Sequence, residues 1–466
     1  MLIQSAEVLG RGVLDVRVEG DVISALGTLK PLPGENVLNA AGGLLLPGLH
    51  DHHIHLRASA AALDSVRCGP PEVRTADGLR TKLRSHRART TLTWIRGTAY
   101  HESVAGDIDR HWLDAVIPDL PVRIQHRSGR LWILNSAAHE ILLQNAKAQA
   151  PSLIATLQDA SDGRLLDHDN IITTLLGRTA LPIAAISQQL ANFGVTGITD
   201  MNPGNDIDAH TQMALWQARD ELLQQVHLGG REDLSELADN DRLTVGPFKL
   251  HLHDHDLPDF DDLTATMRRV HASGRPVAAH CVTELALVFT LAAFEEAGSI
   301  RGDRLEHASV TPDALLDQVA KLGLTIVTQP HFIAERGREY LHDIPAAEHA
   351  LLYRCRAFID AGIPLAGGSD APFGSLDPWQ AMRAAVLRKT QDGAVIGAEE
   401  RLTPEQALAL FTGSANAPAT PRQINVGASA DLCLLDSPWD IVRDDLKSQH
   451  VRLTLIGGRP VNESRR

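Results

Sequence analysis

Two histidines that follow an apolar, strand-like run are the residues most suited to chemistry in this chain. Residues 44–49 read Leu-Leu-Leu-Pro-Gly-Leu, and His53 and His55 come shortly after them. These histidines are two positions apart, so their imidazoles lie on the same side of an extended chain. Such a pair can begin a metal site. An isolated His-x-His pair is more often part of a surface loop, so the metal interpretation needs partners elsewhere.

Further residues of metal-ligand type stand at the ends of other apolar runs. They are Lys249, His280, His307 and Asp370. Taken singly, each has a structural explanation: a solvated lysine, a hydrogen-bonded core histidine or a turn aspartate. Their recurrence at strand ends in one chain favours a shared metal centre instead.

The elements between these residues predict the fold that brings them together. Strand-like runs alternate with helical patterns, as in a parallel α/β fold. The strands expected in the main domain are 44–49, 122–126, 195–200, 248–252, 277–280, 304–307, 324–329 and 364–370. Eight such strands close a TIM (β/α)8 barrel, where side chains from distant positions meet at the carboxyl ends of the strands.

The two ends of the chain have a different pattern. Residues 1–43 and 413–466 contain short alternating runs broken by glycine and proline, which are typical of antiparallel strands. Neither end has enough strands to close a core alone. We therefore expect one small β-sandwich built from both termini, a barrel over 44–412, and a helical insertion at about 57–121.

Composition narrows the classes of partner. The chain has 466 residues and a formal net charge of -14, which argues against nucleic acid or an anionic membrane surface. Its four cysteines show no C-x-x-C spacing, and no apolar run is long enough to span a membrane. A cytoplasmic enzyme acting on a small molecule is expected. The oligomeric state is left open, a homo-oligomer included.

The ligand pattern resembles the amidohydrolase superfamily of metal-dependent hydrolases. The resemblance rests on residues 47–55, on Lys249, His280 and His307 at strand ends, and on Gly368-Ser369-Asp370. Five further stretches are similar to the amidohydrolase-3 group, which includes YtcJ-like and N-substituted formamide deformylase-like enzymes. They are residues 94–97, 102–103, 113–116, 127–129 and 132–136. The match covers nearly the whole chain.

The resemblance implies a set of metal ligands. His53, His55 and Asp370 would bind the more buried of two divalent ions, zinc being the expected metal, and His280 and His307 the more exposed one. Lys249 would be N-carboxylated and bridge them, since a carbamate offsets the repulsion between two cations. Residues 250–256 depart from the family pattern, because a His- and Asp-rich run replaces a Gly- and Ser-rich loop. Without carboxylation, His251 could coordinate instead, or the site could hold one metal.

The expected reaction is hydrolysis of a non-peptide carbon–nitrogen bond, in an amide, an N-formyl group or a cyclic amide. A metal makes water acidic enough to attack a carbonyl, and Asp370 would move the proton to the leaving nitrogen. One alternative is a mononuclear deaminase of an amino-heterocycle, with Glu284 as proton shuttle. Another is a catalytically silent binding protein, which would be expected to lose ligands.

Residues for substrate binding and for ligand orientation are less strongly indicated. Arg127, Trp132 and Asn135 follow the expected second strand, and His331 follows the expected seventh strand, so all four are candidates for contact with substrate. Asp200 ends the expected third strand, and Glu284 lies one turn after His280; both could orient metal ligands. Glu284 could equally be a favourable charge at a helix N-terminus.

Overall fold

The computed structural model describes residues 1–90, 93–176 and 181–463. The chain divides into two compact units. One comprises Met1–Leu56 and Ile183–Arg466, and the other comprises Arg57–Pro182. None of the helices in the described ranges has the length and apolarity needed to cross a membrane.

A parallel eight-stranded sheet forms the centre of the first unit. In sheet order its strands are Leu49–Ile54, Val195–Asp200, Gln225–Gly230, Leu243–Leu250, Val277–Cys281, Arg304–His307, Thr325–Thr328 and Leu365–Gly367. The last strand returns to the first, because the backbone nitrogen of Asp370 donates to the carbonyl oxygen of His53 at 2.7 Å. The sheet is therefore a (β/α)8 barrel, and the predicted fold class is confirmed.

Helices follow the barrel strands. The α-helices of this unit are Ile183–Asn192, Ile207–Ala218, Phe260–Ala272, Glu284–Ala297, Asp313–Lys321, His331–Asp343, Cys355–Asp360, Pro378–Leu387, Pro404–Ala409 and Trp439–Val442. Short 3-10 helices span Glu232–Glu236, Ala346–Leu351, Ala398–Glu400 and Ser448–His450. Local sequence sets several of their ends: Thr403 and Gln406 form a capping box with Pro404 at the first helical position, and Gly298 ends its helix at a φ of 81°.

The number of barrel strands is as expected, but one strand was assigned to the wrong sheet. Val122–His126 is a strand of the other unit, and the third barrel strand is Gln225–Gly230. That strand ends in two glycines and contains His227 at a buried position, so it lacks a strong apolar signal. Strand character alone does not say which sheet a strand joins.

The run expected as one strand over 44–49 is divided at Gly48. Leu45–Pro47 pairs with Leu432–Leu435 in the sandwich, and the barrel strand begins at Leu49. A side chain at Gly48 would clash, since a Cβ there would lie 2.2 Å from the Thr196 side chain. Close packing at this crossing therefore requires glycine.

Both chain termini contribute to a β-sandwich in this unit. One sheet contains Val22–Gly27, Gly12–Glu19, Leu2–Val8 and Val37–Asn39, and the other contains Arg459–Glu463, Val451–Ile456, Leu432–Leu435 and Leu45–Pro47. A short pair, Gly413–Ser414 with Ala417–Pro421, lies outside these sheets. Residues from both sheets, among them Ile3, Val16, Leu432 and Leu453, share one buried apolar cluster. The composite sandwich inferred from the alternating termini is thus present.

The second unit is mixed α/β. Its sheet contains, in order, Arg164–Leu166, Leu131–Leu134, Val122–His126, Ile95–Tyr100 and Val66–Arg67. Its helices are Ala76–Arg89, Glu102–Ala105, Arg110–Val116, Ser136–Gln149, Ile154–Asp159 and Asp169–Leu176, with a 3-10 turn at Pro151–Leu153, and Leu56–Leu63 leads into it. Residues 57–121, expected as a helical insertion, thus contain strands as well as helices and are only part of this unit.

Candidate metal centre

His53 and His55 lie at the end of the first barrel strand and face the same carboxylate. The Nε2 atoms of His53 and His55 lie 3.5 and 3.2 Å from Oδ1 of Asp370. The other ring nitrogen of His53, Nδ1, hydrogen-bonds to Glu306. With Nδ1 bonded to a carboxylate, the proton resides there, and Nε2 keeps its lone pair for a metal. This buried Nε2 has no hydrogen-bond partner in the described structure.

Asp370 is held by backbone contacts that require an unusual local conformation. It adopts a φ of 49°, in the left-handed region, just after the last barrel strand. At the preceding Gly368, a Cβ would lie 2.5 Å from the Cβ of His53. Asp51 accepts hydrogen bonds from the backbone nitrogens of Ser369 at 2.9 Å and His53 at 3.2 Å. These contacts bring the two ends of the barrel sheet together at the site.

The electrostatic surroundings keep Asp370 ionised. Burial alone would raise its pKa, but the hydrogen bond from His55 and the nearby histidines hold the pKa of this carboxyl below its usual range. A carboxylate at this position can accept a proton or bind a cation.

His280 and His307 complete the histidine cluster from neighbouring strands. The His307 ring lies 4.9 Å from the His53 ring and 4.6 Å from the His280 ring, measured between centroids. Three potential ligand atoms, one each from His53, His307 and Asp370, lie within 4.8 Å of one another. Nδ1 of His307 bonds to Oε1 of Gln329 at 2.8 Å, which leaves Nε2 as the ligand atom.

Lys249 is the most unusual charged group of the site. Its side chain is 6% exposed, and its Nζ has no hydrogen-bond partner among the described residues. Burial lowers the pKa of Lys249 to about 8, although Glu306 and Asp370 favour the charged form. Burial and the charge of Lys249 together lower the pKa of His53 to about 3, so this imidazole is neutral at pH 7.

His251 lies next to two other histidines. Its ring is 4.8 Å from the His280 ring and 4.4 Å from the His253 ring, both in edge-on arrangements. Burial, followed by the charge of Lys249, lowers the pKa of His251 to about 3. Coordination by His251 in place of a modified lysine stays a prediction.

Sequence reasoning missed the groups that orient the histidines, above all Glu306. Glu306 is fully buried and bonds to both His53 and the guanidinium of Arg304. The Arg304 Nη2 also donates to the carbonyl oxygen of His52 at 2.6 Å. A signal was available in the sequence, because three of the four residues of the expected strand 304–307 are polar, although strands of a parallel sheet are normally buried on both faces. Buried charges need partners, so such a strand points to a polar network.

Three of the residues predicted to orient metal ligands or to contact substrate lie in the unit that contains the barrel. Asp200 is buried and accepts from the backbone nitrogen of Leu56 at 3.0 Å, which fixes the backbone next to His55. Glu284 is exposed in the first turn of its helix, where a negative charge is favourable. His331 is buried and its Nε2 donates to the carbonyl oxygen of Ser369 at 3.0 Å. A substrate contact by His331 stays a prediction.

Arg127, Trp132 and Asn135 all lie in the unit of residues 57–182. The Asn135 side chain is fully buried and is used within that unit: it accepts from two backbone nitrogens and donates to two carbonyl oxygens. Trp132 is buried, with the guanidinium carbons of Arg123 and Arg96 at 5.3 and 5.5 Å from its ring. The backbone nitrogen of Arg127 donates a hydrogen bond to the carbonyl oxygen of Tyr100. Their roles toward substrate stay predictions.

The residues present fit a divalent metal by their chemistry. Neutral imidazole nitrogens and a carboxylate oxygen are the ligand types that zinc and similar ions prefer. Two of the imidazoles have Nδ1 bonded to Glu306 or Gln329, the arrangement that prepares a histidine for coordination. Cys281, beside His280, does not compete as a nucleophile, because burial raises the pKa of its thiol to about 12.

The chain is similar to known proteins over nearly its whole length. The chain is 26% identical to an N-substituted formamide deformylase of Arthrobacter pascens, over 95% of this chain and 94% of that protein. It is 24% identical to the putative amidohydrolase YtcJ of Bacillus subtilis, over 96% of each. The structure of an uncharacterized metal-dependent hydrolase from Pyrococcus horikoshii superposes with a TM-score of 0.73 at 18% identity, over 97% of this chain and 98% of that one.

The family profile covers the barrel, but it begins after the first three strands of the sandwich. Residues 36–462 match the amidohydrolase-3 profile, which is described as the amidohydrolase family. The resemblance inferred from the strand-end ligands is confirmed, and the chain belongs to the amidohydrolase family.

Proposed function

We propose that this protein is a metal-dependent hydrolase that cleaves a non-peptide carbon–nitrogen bond of a small molecule, in an amide, an N-formyl group or a cyclic amide. The observation that carries the proposal is the convergence of His53, His307 and Asp370 donor atoms within 4.8 Å, beside the buried amine of Lys249. Similarity to an N-substituted formamide deformylase supports this choice of bond.

His53, His55 and Asp370 would hold one ion, and His280 and His307 would hold a second. A bound ion of the zinc type makes water acidic enough to supply hydroxide at neutral pH and polarises a carbonyl oxygen. Neutral histidines suit this role, since burial lowers the pKa values of His53 and His280 below their ordinary range. The site is then ready to bind a cation at pH 7 without first releasing protons from these rings.

Asp370 would move the proton. Its ionised carboxylate can accept a proton from the attacking water and give it to the nitrogen as the carbon–nitrogen bond breaks. The backbone bond from Asp370 to His53, at 2.7 Å, keeps the carboxylate beside the histidines throughout. General acid–base catalysis of this kind contributes about 10²–10⁴-fold to the rate.

Lys249 would become a carbamate. The ammonium would first release one proton to solvent. The neutral amine would then attack carbon dioxide, forming a nitrogen–carbon bond as one carbon–oxygen π bond opens, and would release a second proton to solvent, so that a buried cation is replaced by an anion. The lack of any hydrogen-bond partner for Nζ supports this, because a buried ammonium without partners is costly. The carbamate would supply the negative charge that two neighbouring metal ions require.

The test is to purify the full chain, measure its metal content, and assay N-substituted formamides, N-acyl amines and cyclic amides. Asp370→Asn should lower kcat by about 10²–10⁴-fold, whereas Asp241→Asn, at an exposed position, should leave it unchanged. Chelation should abolish activity, and zinc should restore it. Activity that survives chelation, or full activity of Asp370→Asn, would contradict the proposal.

Lys249→Ala separates the one-metal and two-metal forms of the proposal. A bridging carbamate predicts that this variant loses activity and one bound metal ion per chain, whereas a single-metal site predicts unchanged metal content. Mass spectrometry of the native protein should show the added carboxyl group, and its absence together with unchanged metal content would refute the bridge.

A further inference from the structure

The unit of residues 57–182 contains a separate group of metal-ligand side chains: His101, Glu102 and His126. One donor atom from each lies within 4.8 Å of the others. The Nε2 atoms of His126 and His101 are 2.9 and 3.7 Å from Oε2 of Glu102. The imidazole rings face each other, with centroids 5.8 Å apart and an angle of 30° between their planes. All three residues lie in this unit and none is used in the reaction proposed above.

The backbone brings these residues together at the ends of two parallel strands. Ile95–Tyr100 and Val122–His126 are neighbours, and Tyr100 pairs with His126. The register shifts between Gly97 and Tyr100, where Ala99 adopts a φ of 61° in the left-handed region. An extra residue of this kind re-aims the side chains that follow, and such bulges are frequent next to functional sites. His101 is thereby placed beside His126.

Both histidines are oriented in the same way by a serine two residues later. Nδ1 of His101 lies 2.8 Å from the hydroxyl of Ser103, and Nδ1 of His126 lies 2.8 Å from the hydroxyl of Ser128. The backbone nitrogen of each serine also donates to the same Nδ1, at 3.2 and 3.1 Å. These twin contacts hold both rings in place and direct both Nε2 atoms toward Glu102.

We propose that His101, Glu102 and His126 form a second binding site for a divalent transition metal of the zinc type. Two imidazoles and one carboxylate are an established ligand set for such ions, and three protein ligands leave a position open. The side chain of Glu102 is 59% exposed, against 11% and 18% for the histidines, so solvent or a further ligand can reach that position.

Metal binding requires a change of tautomer that the serines can accommodate. Without metal, each Nδ1 accepts from a serine backbone nitrogen, and Nε2–H of His126 donates to Glu102. With metal, the ring's single proton moves from Nε2 to Nδ1, so each imidazole stays neutral, and the serine backbone nitrogen no longer donates to that Nδ1. A hydroxyl can accept as well as donate, so Ser103 and Ser128 then receive that proton in a hydrogen bond.

Equilibrium dialysis of the full chain against zinc alone, followed by elemental analysis, tests the proposal. At a zinc concentration that saturates the wild type, His126→Ala and Glu102→Gln should each bind one zinc fewer per chain. The matched control is His111→Ala, because His111 is an exposed histidine of the same unit. The double variant His126→Ala/Asp370→Ala should likewise bind one zinc fewer per chain than Asp370→Ala alone. This comparison separates the proposed site from the site in the barrel.

Equal zinc content in wild type, His126→Ala, Glu102→Gln and His111→Ala would overturn the proposal and assign the cluster a purely structural role. Circular dichroism of each variant checks that the chain is folded. If His126→Ala fails to fold, Glu102→Gln decides alone, because it preserves side-chain size: loss of one zinc supports the site, and retention refutes it.

Discussion

Replacing Glu306 by glutamine would test whether this buried carboxylate prepares His53 for metal binding. Glu306 accepts from His53 Nδ1 through one oxygen and from Arg304 Nε through the other. The amide of glutamine has only one oxygen, so it can accept from one neighbour while its NH2 group faces the other donor. The substitution therefore removes the group that holds the His53 proton on Nδ1, or leaves Arg304 without its partner.

The expected size of the effect follows from these contacts. Loss of an outer-shell partner of a metal ligand lowers metal affinity or activity by about 10–100-fold, which corresponds to about 1.4–2.7 kcal/mol. A second effect concerns stability, because the Arg304 guanidinium is only 3% exposed. Removing the partner of a buried ion pair costs about 3–5 kcal/mol. Metal affinity and the free energy of unfolding should thus both fall.

The assay is a competition titration of zinc between the protein and a chromophoric chelator, with urea unfolding of the same samples. Glu400→Gln is the matched control, since Glu400 is also buried, bonds to Arg354 Nε at 2.9 Å and accepts from the backbone nitrogen of Ala357. The Glu400→Gln variant should be less stable than the wild type and should keep the wild-type affinity for zinc. The proposed role of Glu306 is refuted if Glu306→Gln keeps wild-type zinc affinity, or if Glu400→Gln loses as much zinc affinity as Glu306→Gln.

Three further substitutions probe the barrel closure, the sandwich and one surface ion pair. Gly368→Ala should abolish activity and cost about 1–3 kcal/mol in urea unfolding, because the new Cβ would lie 2.5 Å from the Cβ of His53. Leu432→Ala, in the core shared by the two sandwich sheets, should cost about 2–5 kcal/mol in the same measurement. The hydrogen bond from Arg17 lowers the pKa of Glu35 from 4.5 to about 2. Its stabilisation is present above pH 4.5 and lost as the pH falls through about 2, so the stability difference between wild type and Glu35→Gln should vanish over that range.

Each of these substitutions has a control that differs in environment. Gly78→Ala adds a Cβ whose nearest neighbour is 3.1 Å away, and it should leave activity intact. Val426→Ala, at a side chain that is 62% exposed, should change stability by no more than about 0.5 kcal/mol. Glu399→Gln, at an exposed position, should change stability by no more than about 0.5 kcal/mol. Equal effects in a substitution and its control would contradict the structural reason given for that substitution.

The amino-acid sequence alone predicted the fold class and the candidate ligand types. Side chains alternate along a strand, so the spacing of His53 and His55 is enough to place both on one side. Strand-like runs that alternate with helical patterns indicate a parallel barrel, and the alternating termini indicate a sandwich. These features are local, because each depends only on residues close together in the chain.

The tertiary structure decided which strands and side chains are partners. Val122–His126 has the strand pattern expected of it, but it lies in the sheet of the other unit, while the less apolar Gln225–Gly230 joins the barrel. The bond between Glu306 and His53 joins residues that are 253 positions apart. Strand partners and buried hydrogen bonds depend on contacts distant in sequence, and local periodicity carries no information about them. The sequence therefore predicted which candidate ligands stand at strand ends, and the folded chain determined which groups bond to them.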